Sequence, residues 1–229
     1  MKRALLTAVL LAALAAAGLL GLARADDDEM KATDLTPDQA LERLMKGNED
    51  YAAHHMKHGH LDDRRLKEVA KSQHPFATII TCADSRVTPE FIFDQGLGDL
   101  FVIRVAGNVT DDVVLGSIEY AASHLHTPIV MVLGHERCGA VGAAVEGVVE
   151  AGHLFALVSR ILPAVRRAKE AGGDVLDGAV RQNVKLQVEN IAGSEPVLAE
   201  LVRAKKIRVV GARYDLDDGK VTLDPWTVK

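Results

Sequence analysis

Two short apolar runs, each delivering a metal-ligating side chain at its end, constrain this chain more than any other feature. Ala77-Thr78-Ile79-Ile80-Thr81 runs directly into Cys82, and Ile129-Val130-Met131-Val132-Leu133 runs into Gly134-His135, with Cys138 shortly after. Aliphatic, β-branched runs of this length without polar alternation are strands buried on both faces. Leu100-Phe101-Val102-Ile103-Arg104 is a further such run, and a helical stretch from Asp111 to Leu125 separates it from Ile129. Strands alternating with helices predict a parallel sheet with both faces covered. Cys82 and His135 then fall at the carboxyl ends of strands, where open α/β sheets carry their sites.

The remaining segments fit the same class. Thr36-Pro37-Asp38-Gln39 predicts a helix start, with Thr36 as cap, Pro37 at the first helical position and Gln39 closing a capping box. Gly47-Asn48 predicts its end. The polar segment Tyr51 to Asp63, with His54, His55, His58 and His60, reads as a surface loop. After Gly139 the chain predicts helices over 140–149, 156–171, 175–192 and 196–204, with Gly172-Gly173 as a break. Ile207 to Ala212 predicts another strand, and Asp217-Asp218-Gly219-Lys220 a turn into Val221-Thr222-Leu223. The expected architecture is α/β: a mostly parallel sheet of four or five strands flanked by helices.

Lys2 and Arg3 precede an apolar run from Ala4 to Leu22, and Ala23-Arg24-Ala25 offers a small-x-small cleavage site. This layout predicts a secretory signal peptide over residues 1–25 and a single domain over 26–229, in a protein exported to the periplasm. An uncleaved anchor is the alternative. Removing Lys2, Arg3 and Arg24 from the 27 basic residues leaves 24 against 32 acidic ones, a balance of −8. Such a balance gives no electrostatic case for nucleic acid or for an anionic membrane surface once the signal is removed.

Two cysteines in an exported chain suggest a disulfide by counting alone. Their neighbours favour a metal. His135 and Cys138 are three residues apart and face one point if a turn or helix begins there. Cys82 closes a third side from a neighbouring strand. Thiolates and imidazole suit zinc, and three protein ligands leave a position open for water, as catalytic zinc requires. Asp84 and Arg86 share the Cys82 loop, where an Asp-x-Arg pair can form a bidentate ion pair that keeps Asp84 ionised and off the metal. Released, that carboxylate could take the open position. Bracing of the loop is the plainer role for the pair.

Cys82-x-Asp84-x-Arg86, followed by His135-x-x-Cys138-Gly139, resembles the signature of the β-class carbonic anhydrases. The resemblance runs from Leu35 to Ala212 and includes Asp94 to Phe101 and Arg104-Val105-Ala106-Gly107-Asn108. It implies one zinc per subunit on Cys82, His135 and Cys138, with Asp84 and Arg86 beside a zinc-bound hydroxide. It further implies a narrow slot lined by Gln73, Phe101, Tyr120 and the N–H of Gly139, with Gln73 often reaching in from a partner subunit. The implied reaction is reversible hydration of carbon dioxide to bicarbonate and a proton. The implied assembly is a homodimer or dimer of dimers. Ile79 stands where family members with a noncatalytic bicarbonate pocket carry Trp, so that control is not implied here. Two alternatives share the site: a carbonyl sulfide or carbon disulfide hydrolase, and a binding module with structural zinc.

Overall fold

The computed structural model describes residues 34–147 and 152–225, so the signal-peptide reading lies outside the described residues. Helix α1 (Pro37–Ala52) and α2 (Asp63–Val69) precede β1 (Ala77–Thr81). Then come α3 (Pro89–Ile92), β2 (Leu100–Arg104), a 3-10 turn (Ala106–Asn108), α4 (Asp112–His124) and β3 (Ile129–His135). Helices α5 (Gly139–Glu146), α6 (Leu154–Ala171), α7 (Val175–Ala192) and α8 (Leu198–Arg203) lead to β4 (Arg208–Tyr214) and β5 (Val221–Leu223). The five strands lie in the order β2-β1-β3-β4-β5, parallel except for β5, which runs antiparallel to β4.

The strands lack polar alternation because both faces of the sheet are buried. On one face Ile79, Met131, Leu133 and Val210 pack with Ala40, Leu41 and Leu44 of α1. On the other, Ile80, Val130, Val132 and Val209 pack with Val114 and Ile118 of α4 and Val184, Val188 and Ile191 of α7. A third apolar cluster joins Cys82 and Cys138 to Val141, Ile161, Val165, Ala179 and Val180, placing both thiols beneath α5, α6 and α7. Among the described residues no helix is long and apolar enough to cross a membrane.

Strand β3 extends two residues beyond the apolar run because Gly134 and His135 continue to pair with Arg213 and Tyr214 of β4. Helix α1 has the expected cap: Thr36 Oγ1 accepts from the Gln39 N–H, and Gln39 Oε1 accepts from the Thr36 N–H. It does not stop at Gly47-Asn48 but runs to Ala52. Both residues serve tertiary contacts instead. A Cβ on Gly47 would overlap the Phe93 carbonyl, so glycine lets α1 meet that backbone closely. Asn48 donates to the carbonyls of Ile92 (3.1 Å) and Gly219 (2.9 Å) and accepts from the Val221 N–H (2.8 Å), tying α1 to α3 and to the turn into β5. Helix α2 begins at Asp63, where the segment read as a loop ends, and covers residues for which the sequence suggested no element. Capped by Asp62, it contains no buried residue and therefore no amphipathic pattern in sequence.

Gly47→Ala is expected to destabilise the fold by about 1–3 kcal/mol through forced displacement of the Phe93 backbone. Thermal unfolding of the variant checks this: a midpoint equal to wild type would remove the close approach as a constraint.

Candidate metal centre

The carboxyl ends of β1 and β3, with the start of α5, bring together the sulfurs of Cys82 and Cys138 and one nitrogen of His135. These three ligand atoms lie within 4.8 Å of one another, and all three residues are buried. The two sulfurs are 3.9 Å apart and the thiols are free. A disulfide would need about 2.05 Å. Zinc–sulfur bonds of about 2.3 Å in a tetrahedron place two sulfurs about 3.8 Å apart, so the observed spacing fits a shared metal.

His135 supplies a second test of that fit. Its Nδ1 lies 2.8 Å from the Glu136 carbonyl, which can only accept, so the proton sits on Nδ1 and the Nε2 lone pair is bare. Nε2 is buried without a hydrogen-bond partner. A buried polar atom left unpaired is costly, and here it points its lone pair at the two sulfurs. The carbonyl also fixes the ring orientation, the arrangement expected of a metal-bound histidine.

One of the two thiols, Cys82, is electrostatically prepared to ionise. The Cys138 S–H bonding to Cys82 draws the Cys82 thiol well below its ordinary range; the His135 side chain and the N–H of Gly107 add to this, while burial opposes it. Cys138 is pushed up, because it keeps the proton the pair shares and is itself buried. A metal ion would displace that proton. Cys138 caps α5, and a Cβ on the next residue, Gly139, would meet nothing within 4 Å. Open space therefore adjoins the ligands at the helix N-terminus.

Asp84 stands beside the triangle in a rigid clamp. Arg86 donates from Nε to Oδ1 (2.9 Å), from Nη2 to Oδ2 (2.7 Å) and from its backbone N–H to Oδ1 (2.9 Å). The Arg86 guanidinium holds the Asp84 carboxyl far below the usual carboxylate range, helped by that backbone N–H and by His135, against the effect of burial. Asp84 Oδ2 is 3.8 Å from His135 Nε2, at the edge of the triangle.

Several supporting residues were not read from the sequence as functional. Arg104 Nη2 donates to the Asp84 carbonyl (2.7 Å), and its Nε to the Cys82 carbonyl (3.4 Å). Gly107 donates its N–H to the Cys82 sulfur at 3.2 Å. The Arg104-to-Asn108 motif was visible in sequence, but its aim was not. The Glu136 carboxylate accepts from Arg213 and from the Leu216 N–H, and Arg137, in left-handed backbone (φ 48°), is held by two bonds to Asp217. No local pattern announces these long-range braces. They also occupy the carboxylates of a second acidic group, Glu136 and Asp217 with Asp215.

The other predicted slot residues lie elsewhere in the chain. Gln73 and Tyr120 line a surface groove with His74, His124 and His126, and Cys82, His135 and Cys138 are not part of its lining. The Phe101 ring lies 6.2 Å from that of Tyr120. Gln73 precedes β1 and Cys82 follows it, so the strand itself separates them. The chain thus unites Cys82, His135, Cys138, Asp84, Arg86 and Gly139, and sets Gln73, Phe101 and Tyr120 apart as a second group.

A buried Cys–His–Cys triangle on the carboxyl edge of a parallel sheet defines an α/β protein organised around one position for a soft-ligand metal. Residues 77–221 match the family model for carbonic anhydrase. Carbonic anhydrase 2 of Mycobacterium tuberculosis is 39% identical over 191 residues, covering 82% of this chain and 92% of the relative. The carbonic anhydrase of Mycolicibacterium smegmatis is 38% identical, covering 82% and 93%. The solved Coccomyxa β-carbonic anhydrase in complex with acetazolamide superposes with a TM-score of 0.61 at 32% identity, covering 84% of this chain and 86% of that one. A tetrameric β-carbonic anhydrase from Sordaria macrospora shares the fold, with a TM-score of 0.69 at 22% identity, covering 82% and 98%. The chain belongs to the carbonic anhydrase family, in its β class, and is an enzyme of that family.

Cys82→Ala, His135→Ala and Cys138→Ala are each expected to lower metal affinity more than tenfold, whereas Asp84→Ala retains it. Competition with a chelating dye measures this. Loss of metal on Asp84→Ala would make that carboxylate a ligand and close the open position.

Proposed function

We propose that this protein is a zinc enzyme interconverting carbon dioxide with bicarbonate and a proton. The observation that carries the reading is the bare His135 Nε2 facing two sulfurs at tetrahedral spacing. Two thiolates and one imidazole suit zinc among the common divalent ions. Similarity to proteins named carbonic anhydrase supports hydration over the carbonyl sulfide, carbon disulfide and structural-zinc alternatives.

Zinc held by Cys82, His135 and Cys138 would supply the Lewis acidity that lets a water give up its proton near neutral pH. The protein supplies the rest. The two thiolates offset the charge of the ion, and the Glu136 carbonyl keeps His135 in the tautomer that can bind it. Asp84, kept ionised by Arg86, can only accept hydrogen bonds. It would therefore accept a hydrogen bond from the O–H of the attacking oxygen and so leave a lone pair of that oxygen directed at the substrate carbon. It does not itself collect the released proton, which passes to buffer. The Gly139 N–H and the space beside it receive a substrate oxygen.

The slot is completed by Gln73, Phe101 and Tyr120 from a second subunit, in a homodimer or dimer of dimers. Two features support this assembly. Phe101 lies on β2, an edge strand of the sheet. Phe91, Leu97 and Tyr120 are large side chains left exposed at 54%, 42% and 47%. Residues 1–25 direct export to the periplasm and are removed.

Stopped-flow hydration by purified protein, coupled to light scattering, tests the reading. Activity is expected in dimers or larger assemblies. Asp84→Ala should lower kcat/KM about 10²-fold, and Cys138→Ala should lower it to background. Wild-type activity no higher than that of Cys138→Ala would overturn the assignment. Amino-terminal sequencing of the exported protein is expected to begin at Asp26, and a mature chain retaining Met1 would overturn cleavage.

A further inference from the structure

Gly107 touches the metal centre on one side and helix α7 on the other. Its N–H donates to the Cys82 sulfur (3.2 Å), and its carbonyl accepts from Asn183 Nδ2 (2.7 Å). Asn183 is 1% exposed, and so is Gln187 one turn further along α7. Gln187 Nε2 donates to Asn183 Oδ1 (3.0 Å), while Gln187 Oε1 accepts from the Thr110 N–H (3.0 Å) and hydroxyl (2.7 Å). Each amide is orientated by its neighbours: the Thr110 N–H requires an oxygen, and the Gly107 carbonyl requires a donor. Two amides from α7 thus grip the 107–110 segment at both ends.

The opposite side of the turn is wedged. Gly107 has φ 71°, and a Cβ there would meet Ile161 Cδ1 at 2.8 Å and Ala140 Cβ at 3.1 Å. The residue is therefore fixed between the apolar packing of α5 and α6 and the hydrogen bond from α7. Buried polar networks that are fully satisfied impose one geometry, and this one ends on a metal-ligand sulfur.

We propose that Asn183, orientated by Gln187, is a positioning residue for the metal centre: it holds Gly107 so that its N–H aims at the Cys82 sulfur and tempers the donation of that thiolate to the metal. The role rests on the zinc reading above. Without the bond from Asn183, the Gly107 N–H loses its aim, the Cys82 thiolate becomes a less restrained donor, and its sulfur is held less firmly.

The test uses the full-length protein loaded with cobalt(II), which reports thiolate bonding through its charge-transfer band. Asn183→Leu is expected to move that band to lower energy and to speed cobalt release to excess EDTA by about tenfold or more. Asn183→Asp keeps an oxygen for Gln187 but sets a second one against the Gly107 carbonyl. It should give the same changes, and it carries the test if the leucine variant does not fold. Val188→Ala weakens the packing of the same helix against the sheet without touching the amides, and should move neither readout. Wild-type band and release rate in the Asn183 variants, or equal changes in Val188→Ala, would overturn the positioning role. A wild-type protein showing no thiolate–cobalt band would instead overturn the zinc reading on which it rests.

Discussion

The parallel pairing of β1 with β3 is the contact on which the site depends. It sets Thr81 against Leu133, so that each strand delivers its ligand at the same end of the sheet. The Thr81 hydroxyl reinforces the register by donating to the Leu133 carbonyl (2.9 Å). A slip of one residue would turn every side chain of a strand to the opposite face, exchanging the α1 and α7 surfaces and separating Cys82 from His135. The buried packing on both faces makes such a slip costly, so the metal position is as well defined as the core beneath it.

Around that pairing, the chain holds the ligand atoms through backbone more than through side chains. The Glu136 carbonyl orientates His135, the Gly107 N–H meets Cys82, and Arg104 binds the carbonyls of Cys82 and Asp84. Each contact fixes a group whose geometry is set by the strands and turns rather than by a flexible rotamer. Asp84 is the exception. It relies on Arg86, two residues away, for both its charge and its direction.

The strands, most helices and the ligand triangle were legible in the sequence because their signals are local. Buried strands are continuous apolar runs, and His135 and Cys138 are neighbours in the chain. The supporting contacts were not legible, because their partners are remote: Asn48 meets Val221, Glu136 meets Arg213, and Asn183 meets Gly107. Gly47-Asn48 shows how a local rule misleads. Both residues favour a helix end in isolation, yet here one permits a close crossing and the other spends its amide on three backbone groups. Gln73 and Tyr120 illustrate a different limit: in this fold they line a groove that does not include Cys82, and no local pattern in the sequence gives that separation.

The turn between β4 and β5 braces the loop that carries His135 and Cys138, through Asp217 on Arg137 and through Arg213 on Glu136. Its consequence concerns order of assembly. All three ligands emerge during synthesis well before the segment that frames two of them. A partial chain therefore possesses all three ligands while the loop that carries His135 and Cys138 still lacks its braces. Completing the sheet and protecting its sulfur chemistry thus become one event.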